Sequence, residues 1–65
     1  METVFHKRLK SLRMQKGLSQ RQFAAQIDLN YSQYNRYEIG DRKPSTDTIA
    51  KIADALQVSV DYLLD

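Results

Sequence analysis

Leu18-Ser19-Gln20-Arg21-Gln22-Phe23, followed after five residues by Leu29-Asn30-Tyr31-Ser32-Gln33-Tyr34, spells one local signal twice. In each hexapeptide an apolar residue precedes a helix-capping one, glutamine stands at N3 and an aromatic residue at N4. The cap side chain can accept a hydrogen bond from the N3 amide, and the N3 glutamine can reach back to the cap's own N–H. The two apolar residues close over the helix start as a hydrophobic staple. Caps of this kind contribute on the order of 1 kcal/mol each. Val58-Ser59 with Tyr62-Leu63 repeats the staple without the glutamine. Three helix starts are therefore written into the chain locally.

Apolar spacing supplies the rest. Phe5, Leu9 and Leu12 share one face of a helix over about residues 4–16, with Thr3 as its N-cap. Gly17 closes it in the left-handed conformation open to a residue without Cβ. A short second helix, 20–26, turns Phe23 and Ala24 inward with Ile27 beyond, and a third, 31–39, ends at Gly40. Asp28 lies in the turn between them, and aspartate tolerates left-handed geometry better than most residues. Beyond the polar loop Asp41-Arg42-Lys43-Pro44, Ser45 caps a fourth helix over 46–56 with an apolar stripe of Ile49, Ile52, Ala53 and Leu56. Gln57 fills the slot where glycine is usual, and a fifth short helix, 60–64, holds Val60, Leu63 and Leu64. No stretch alternates with the period of a strand. The expected fold is all-α, a compact five-helix bundle forming one domain over 1–65, in which helices two and three make a helix-turn-helix.

Composition narrows what such a domain can do. At 65 residues the chain is one domain, and a chain of that size buries only roughly 60% of the surface it exposes when unfolded. It has no cysteine and a single histidine, His6, so disulfides and a metal site are not expected, and a reducing cytoplasm is. The apolar runs are far shorter than the ~20 residues of a membrane span. Met1-Glu2-Thr3-Val4 lacks the pattern of a signal peptide. Charge is polarised: residues 1–27 carry six Lys/Arg and one acid, residues 28–65 four Lys/Arg and seven acids. Such asymmetry can orient a protein on a polyanion. No glycine-rich phosphate loop is present and His6 lacks an evident acidic partner. We expect no enzyme activity, no cofactor and no small-molecule ligand. His6, with Lys7, Arg8 and Lys10, reads as part of a solvated face of the first helix.

The third helix is two-faced. Tyr34 and Tyr37 form its candidate buried stripe, while Tyr31, Ser32, Asn35 and Arg36 share the opposite side. Ordinary solvated helices favour Lys and Glu at such positions, and Ser, Asn and Tyr are modest helix formers. The set instead suits base edges. Arg36 can pair bidentately with guanine, Asn35 with adenine, and Ser32 with either, while Tyr31 can meet a thymine methyl or a phosphate.

Four segments together resemble the phage lambda repressor and Cro type of helix-turn-helix domain, also called the xenobiotic-response-element family. They are Leu9-Lys10-Ser11-Leu12-Arg13, Lys16-Gly17-Leu18-Ser19-Gln20, Arg36-Tyr37-Glu38-Ile39-Gly40 with Arg42-Lys43-Pro44-Ser45, and 55–64. The resemblance implies a five-helix fold and a DNA-binding transcriptional regulator, expected to be a repressor. By the same resemblance Tyr31, Ser32 and Arg36 match base-reading positions, with Asn35 beside them. Ser19 and Gln20, at the start of the second helix, and Arg42 and Lys43, in the loop after the third, are implied as phosphate contacts. Arg13 and Glu38 match a charge pair joining the first helix to the end of the third. The implied partner is double-stranded DNA, a palindromic operator bound by a homodimer. The region of Val58, Val60 and Leu64 is favoured for the dimer contact but is equally readable as core.

Three positions depart from the family pattern. Asp28 replaces a turn glycine, Tyr34 replaces a smaller aliphatic residue and so needs a partner for its hydroxyl, and Ile39 stands where asparagine is common. The rival reading is an antitoxin or other protein-binding helix-turn-helix module. Such a module would be expected to expose an apolar groove or a trailing disordered segment. RNA binding lacks a visible aromatic stacking platform.

Overall fold

The computed structural model describes residues 5–64, which form α1 (Phe5–Gln15), α2 (Gln20–Gln26), α3 (Tyr31–Ile39), α4 (Thr46–Leu56) and α5 (Val60–Leu64). Among the described residues there is no strand. The middle three helices keep their expected bounds, and the first is one residue shorter at its C-terminal end. There the Lys16 amide still bonds Leu12 and Arg13 carbonyls at 3.3 and 3.1 Å, in the turn that Gly17 completes with φ 72°. The Thr3 cap and Val4 lie outside the described residues.

Every other expected cap is formed. Ser19 Oγ accepts from the Gln22 amide at 3.0 Å while Gln22 Oε1 accepts from the Ser19 amide at 2.8 Å, a complete capping box. Asn30 Oδ1 accepts from the Gln33 amide at 2.7 Å. The reciprocal half expected of Gln33 does not form, because its side-chain Nε2 donates instead to the Tyr37 hydroxyl at 2.9 Å. A residue four positions on offers the same glutamine a partner on its own helix face, and that contact wins. Ser45 and Ser59 cap α4 and α5 through the amides of Thr48 and Tyr62.

Two chain reversals use the left-handed conformation without glycine, Asp28 at φ 58° and Gln57 at φ 59°. Both close a helix. The Leu29 amide returns to the Ala24 carbonyl at 2.9 Å, and the Val58 amide to that of Ala53 at 3.0 Å. At Gly40 (φ 82°) glycine serves two ends, because an added Cβ would stand 3.1 Å from the His6 ring. His6 is thus half-buried over the end of α3 rather than on an open surface.

Phe5 and Leu9 from α1, Phe23, Ala24 and Ile27 from α2 and its turn, Tyr34 and Tyr37 from α3, Ile52, Ala53 and Leu56 from α4, and Leu63 from α5 form one core. α3 packs on both α1 and α2, and α5 is held between α1 and α4. Phe23 and Tyr34, the two staple aromatics, meet with ring centroids 5.4 Å apart and planes tilted by 60°. The local helix-start signals therefore place the central core contact as well. Of the apolar residues of α5, Leu63 alone is buried; Val60 and Leu64 are exposed and Val58 is half-buried. Arg8, expected in a solvated face, donates from Nη1 to the Tyr62 carbonyl and lies over that tyrosine's ring at 4.5 Å, so it ties the end of α5 to α1.

Candidate nucleic-acid interface

α3 is presented by devices at both ends and by one on its buried side. The Asn30 cap fixes its entry. At its exit the Asp41 and Arg42 amides bond the Arg36 carbonyl at 3.0 and 3.3 Å, wrapping the basic loop back onto the last turn. Pro44 is buried and anchors the far side of that loop.

The device on the buried side is a carboxylate in the last turn. Glu38 receives Arg13 Nε on Oε2 at 2.6 Å and Arg13 Nη2 on Oε1 at 3.2 Å. The Tyr34 hydroxyl donates to the same Oε2, and Gln20 Nε2 to Oε1 at 2.8 Å. Arg13 Nη1 continues to the Leu18 carbonyl at 2.6 Å. The expected Arg13–Glu38 pair is therefore the centre of a network joining α1, α2 and α3. It also supplies the partner that the Tyr34 hydroxyl required. Among the described residues no buried side-chain nitrogen or oxygen lacks a hydrogen bond.

Electrostatics follow from that geometry. Burial opposes ionisation of Glu38, but the hydrogen bonds from Arg13, Tyr34 and Gln20 outweigh it and hold its carboxyl below the usual carboxylate range. Its hydrogen bond to Glu38 raises Arg13 further above its ordinary value, against the cost of burial. Burial, reinforced by the adjacent Glu38 carboxylate, pushes the Tyr34 phenol far up, so it stays a donor.

On the outer side, Tyr31, Ser32 and Arg36 are exposed and Asn35 is half-buried, while Tyr34, Tyr37 and Glu38 are buried. Ser32, Arg36 and Arg42 come together around a shallow open depression shared with Asn30 and Gln33. Lys43 is exposed on the same loop. Ser19 is exposed, and with its oxygen accepting from Gln22 it keeps its hydroxyl proton to donate. Gln20 stands apart from the other named residues. It is half-buried and its side-chain nitrogen is committed inward to Glu38.

Three features were not read from the sequence. The Gln33–Tyr37 and Tyr34–Glu38 contacts carried a usable signal, since residues four apart on a helix are neighbours. The third, Arg21 over the Tyr31 ring at 4.3 Å, spans two helices and depends on how they cross. Ile39 is 61% exposed and adds an apolar side chain beside the basic loop.

A short α2 braced against a two-faced α3, with a tight turn between them, defines a helix-turn-helix domain. A family model describing a helix-turn-helix matches residues 9–63, and the chain belongs to that family, of the lambda repressor and Cro type. An uncharacterized HTH-type transcriptional regulator, YqaE of Bacillus subtilis, is 39% identical over 61 residues, covering 94% of this chain and 53% of that protein. The control protein C.MunI of a Mycoplasma species is 42% identical over 60 residues, covering 91% of this chain and 81% of that one. The chain spans about half the length of most of the curated relatives it matches. Among solved structures, the restriction-modification controller protein C.AhdI of Aeromonas hydrophila superposes with a TM-score of 0.86 at 37% identity, covering 95% of this chain and 90% of that one. The DNA-binding domain of the P22 c2 repressor shares the fold, with a TM-score of 0.87 at 22% identity, over 97% and 84% of the two chains.

Proposed function

We propose that this chain binds double-stranded DNA sequence-specifically and represses transcription, with α3 in the major groove and α2 lying across it. The observation that carries the reading is the outward face of α3, where Tyr31, Ser32 and Arg36 stand exposed with Arg42 brought alongside. Tyr31, Ser32, Asn35 and Arg36 are the base-contacting residues. Arg42 and Lys43, with Ser19 and the backbone at Gln20, hold phosphates. Relatives named as regulators and controller proteins support the regulatory half.

A single module of this size buries about 600–1,000 Å² of protein on DNA. Two copies related by a two-fold axis, with half-site centres ~34 Å apart, would give a useful affinity and a palindromic operator. Val60 and Leu64, exposed on α5, offer apolar surface for that contact. Among the described residues no helix is long and apolar enough to cross a membrane. We place the protein with its DNA in the cytoplasm.

Selection of random duplex DNA on the purified protein, followed by sequencing of the retained fraction, tests the reading. An inverted repeat is the expected result; retention without a motif overturns it. Arg36→Ala should weaken binding to the selected site by about 1–3 kcal/mol and relax base choice at one position per half-site. Equal weakening on all sequences would place Arg36 on a phosphate instead. Neutralising Arg42 or Lys43 should lower affinity on every duplex and reduce the salt slope by about one per lost contact. A slope equal to that of the parent protein would remove the loop from the interface.

A further inference from the structure

Two arginines in this domain lie on tyrosine rings, and they differ in what their N–H groups do. Arg8, 4.5 Å from the Tyr62 ring centroid, spends a donor on the Tyr62 carbonyl, so that stack fastens α5 to α1. Arg21, 4.3 Å from the Tyr31 centroid, engages no acceptor among the described residues. Both Arg21 and Tyr31 are exposed, and Tyr31 opens the reading face of α3. Helix stability does not account for the arginine either. It sits at the second position of α2, in a first turn that has no acidic residue, where a cation opposes the helix dipole.

A guanidinium stacked on a ring has one face occupied while its donors remain available in its plane, a rigid fork suited to phosphate oxygens. The ring is constrained in return, because turning it would break the contact. We propose that Arg21 is a further specificity-determining residue, which takes a DNA phosphate with its in-plane N–H groups and thereby holds the Tyr31 ring in position against a base. This rests on the reading of α3 as the DNA-contacting helix. It makes Arg21 both a phosphate ligand and a positioning residue, and it couples the backbone grip of α2 to base choice at the first position of α3.

The test compares the parent protein with Arg21→Ala, Arg21→Lys, Tyr31→Phe and Tyr31→Leu on the selected duplex and on single-base variants of it, over a range of salt. Arg21→Ala should reduce the salt slope by about one. It should also cut discrimination about tenfold at the base pair under Tyr31, while lowering Tm by only a few degrees, as loss of one exposed stack implies. Arg21→Lys should restore the slope but not the discrimination, since an ammonium keeps the charge without the planar fork. Tyr31→Phe keeps the ring, so adding Arg21→Ala to it should again cut discrimination about tenfold. Tyr31→Leu combined with Arg21→Ala should relax base choice no further than either change alone.

An Arg21→Ala protein with the parent's slope and base preference would reduce the stack to a brace between helices and overturn the proposal. A lowered slope with base choice unchanged would overturn the coupling to Tyr31. If the parent protein itself selects no motif, the reading of α3 fails first, and the two failures are thereby distinguished.

Discussion

Glu38→Ala is expected to cost about 3–5 kcal/mol of folding stability, because it strands a charged guanidinium inside the domain. The Glu38 side chain is 1% exposed and that of Arg13 10% exposed, and Arg13 has only the Leu18 carbonyl left once the carboxylate is gone. The Tyr34 hydroxyl loses its acceptor at the same time. A domain of this size is worth roughly 3–10 kcal/mol in all, so the variant should be largely unfolded near 37 °C when followed by circular dichroism. The triple variant Arg13→Met, Tyr34→Phe, Glu38→Leu removes every buried member of the network together and should recover most of the loss. A single variant that melts within a degree or two of the parent would show the network to be energetically idle.

The same carboxylate sets the acid limit of the fold. Its pKa in the folded state lies below the ordinary glutamate value. Its contribution is therefore complete above that ordinary value, near 4.3, and is lost as pH falls through the lower, folded one. Tyr34 acts at the other extreme. Its folded pKa is raised above the usual 10, so its contribution holds below that value and fades as pH climbs past it. Stability measured against pH should run flat through neutrality and fall in acid, and the acid limb should vanish in the triple variant.

Phe23→Ala is expected to cost about 3–5 kcal/mol by a different route, an apolar cavity. Phe23 has no exposed surface and stands at the centre of the core, against the Tyr34 ring. Loss of the ring also opens the staple with Leu18 at the start of α2, so the helix and the core loosen together. Thermal unfolding should shift down by well over 10 °C, given that ~1 kcal/mol moves a domain of this length by about 4–8 °C. DNA binding should disappear at 37 °C and return on cooling, since no group of the interface is removed. A small shift would mean that the neighbours collapse into the space.

The residues of these two experiments mark where sequence reasoning succeeds and where it stops. Phe23 was legible as core because a staple pairs positions five apart across a cap, a relation fixed by helix geometry before any tertiary contact forms. The boundaries of α2, α3 and α4, the left-handed Asp28 and Gln57, and the outward placement of Tyr31, Ser32 and Arg36 follow from equally local rules. Gln20, Gln33 and Arg8 were less legible for one shared reason. Each is a long side chain with a donor at its tip and several acceptors in reach, on its own helix for Gln33 and on a neighbouring one for Gln20 and Arg8, so spacing alone does not choose its partner. Gln33 chose Tyr37 over its own cap, Gln20 an internal acid and Arg8 a carbonyl fifty-four residues away. The Arg13–Glu38 pair came from family likeness, and no periodicity in α1 or α3 foretold it.

Glu38 fastens three helices through two oxygen atoms. A slide or tilt of α3 relative to α1 and α2 must break the bonds that Arg13 and Gln20 make to Glu38 together. The pair therefore meets its target as a single solid, with little internal entropy left to surrender on docking. Under the proposed reading, accommodation to imperfect sites would then fall on the bendability of the duplex and, in a dimer, on the joint between its two copies.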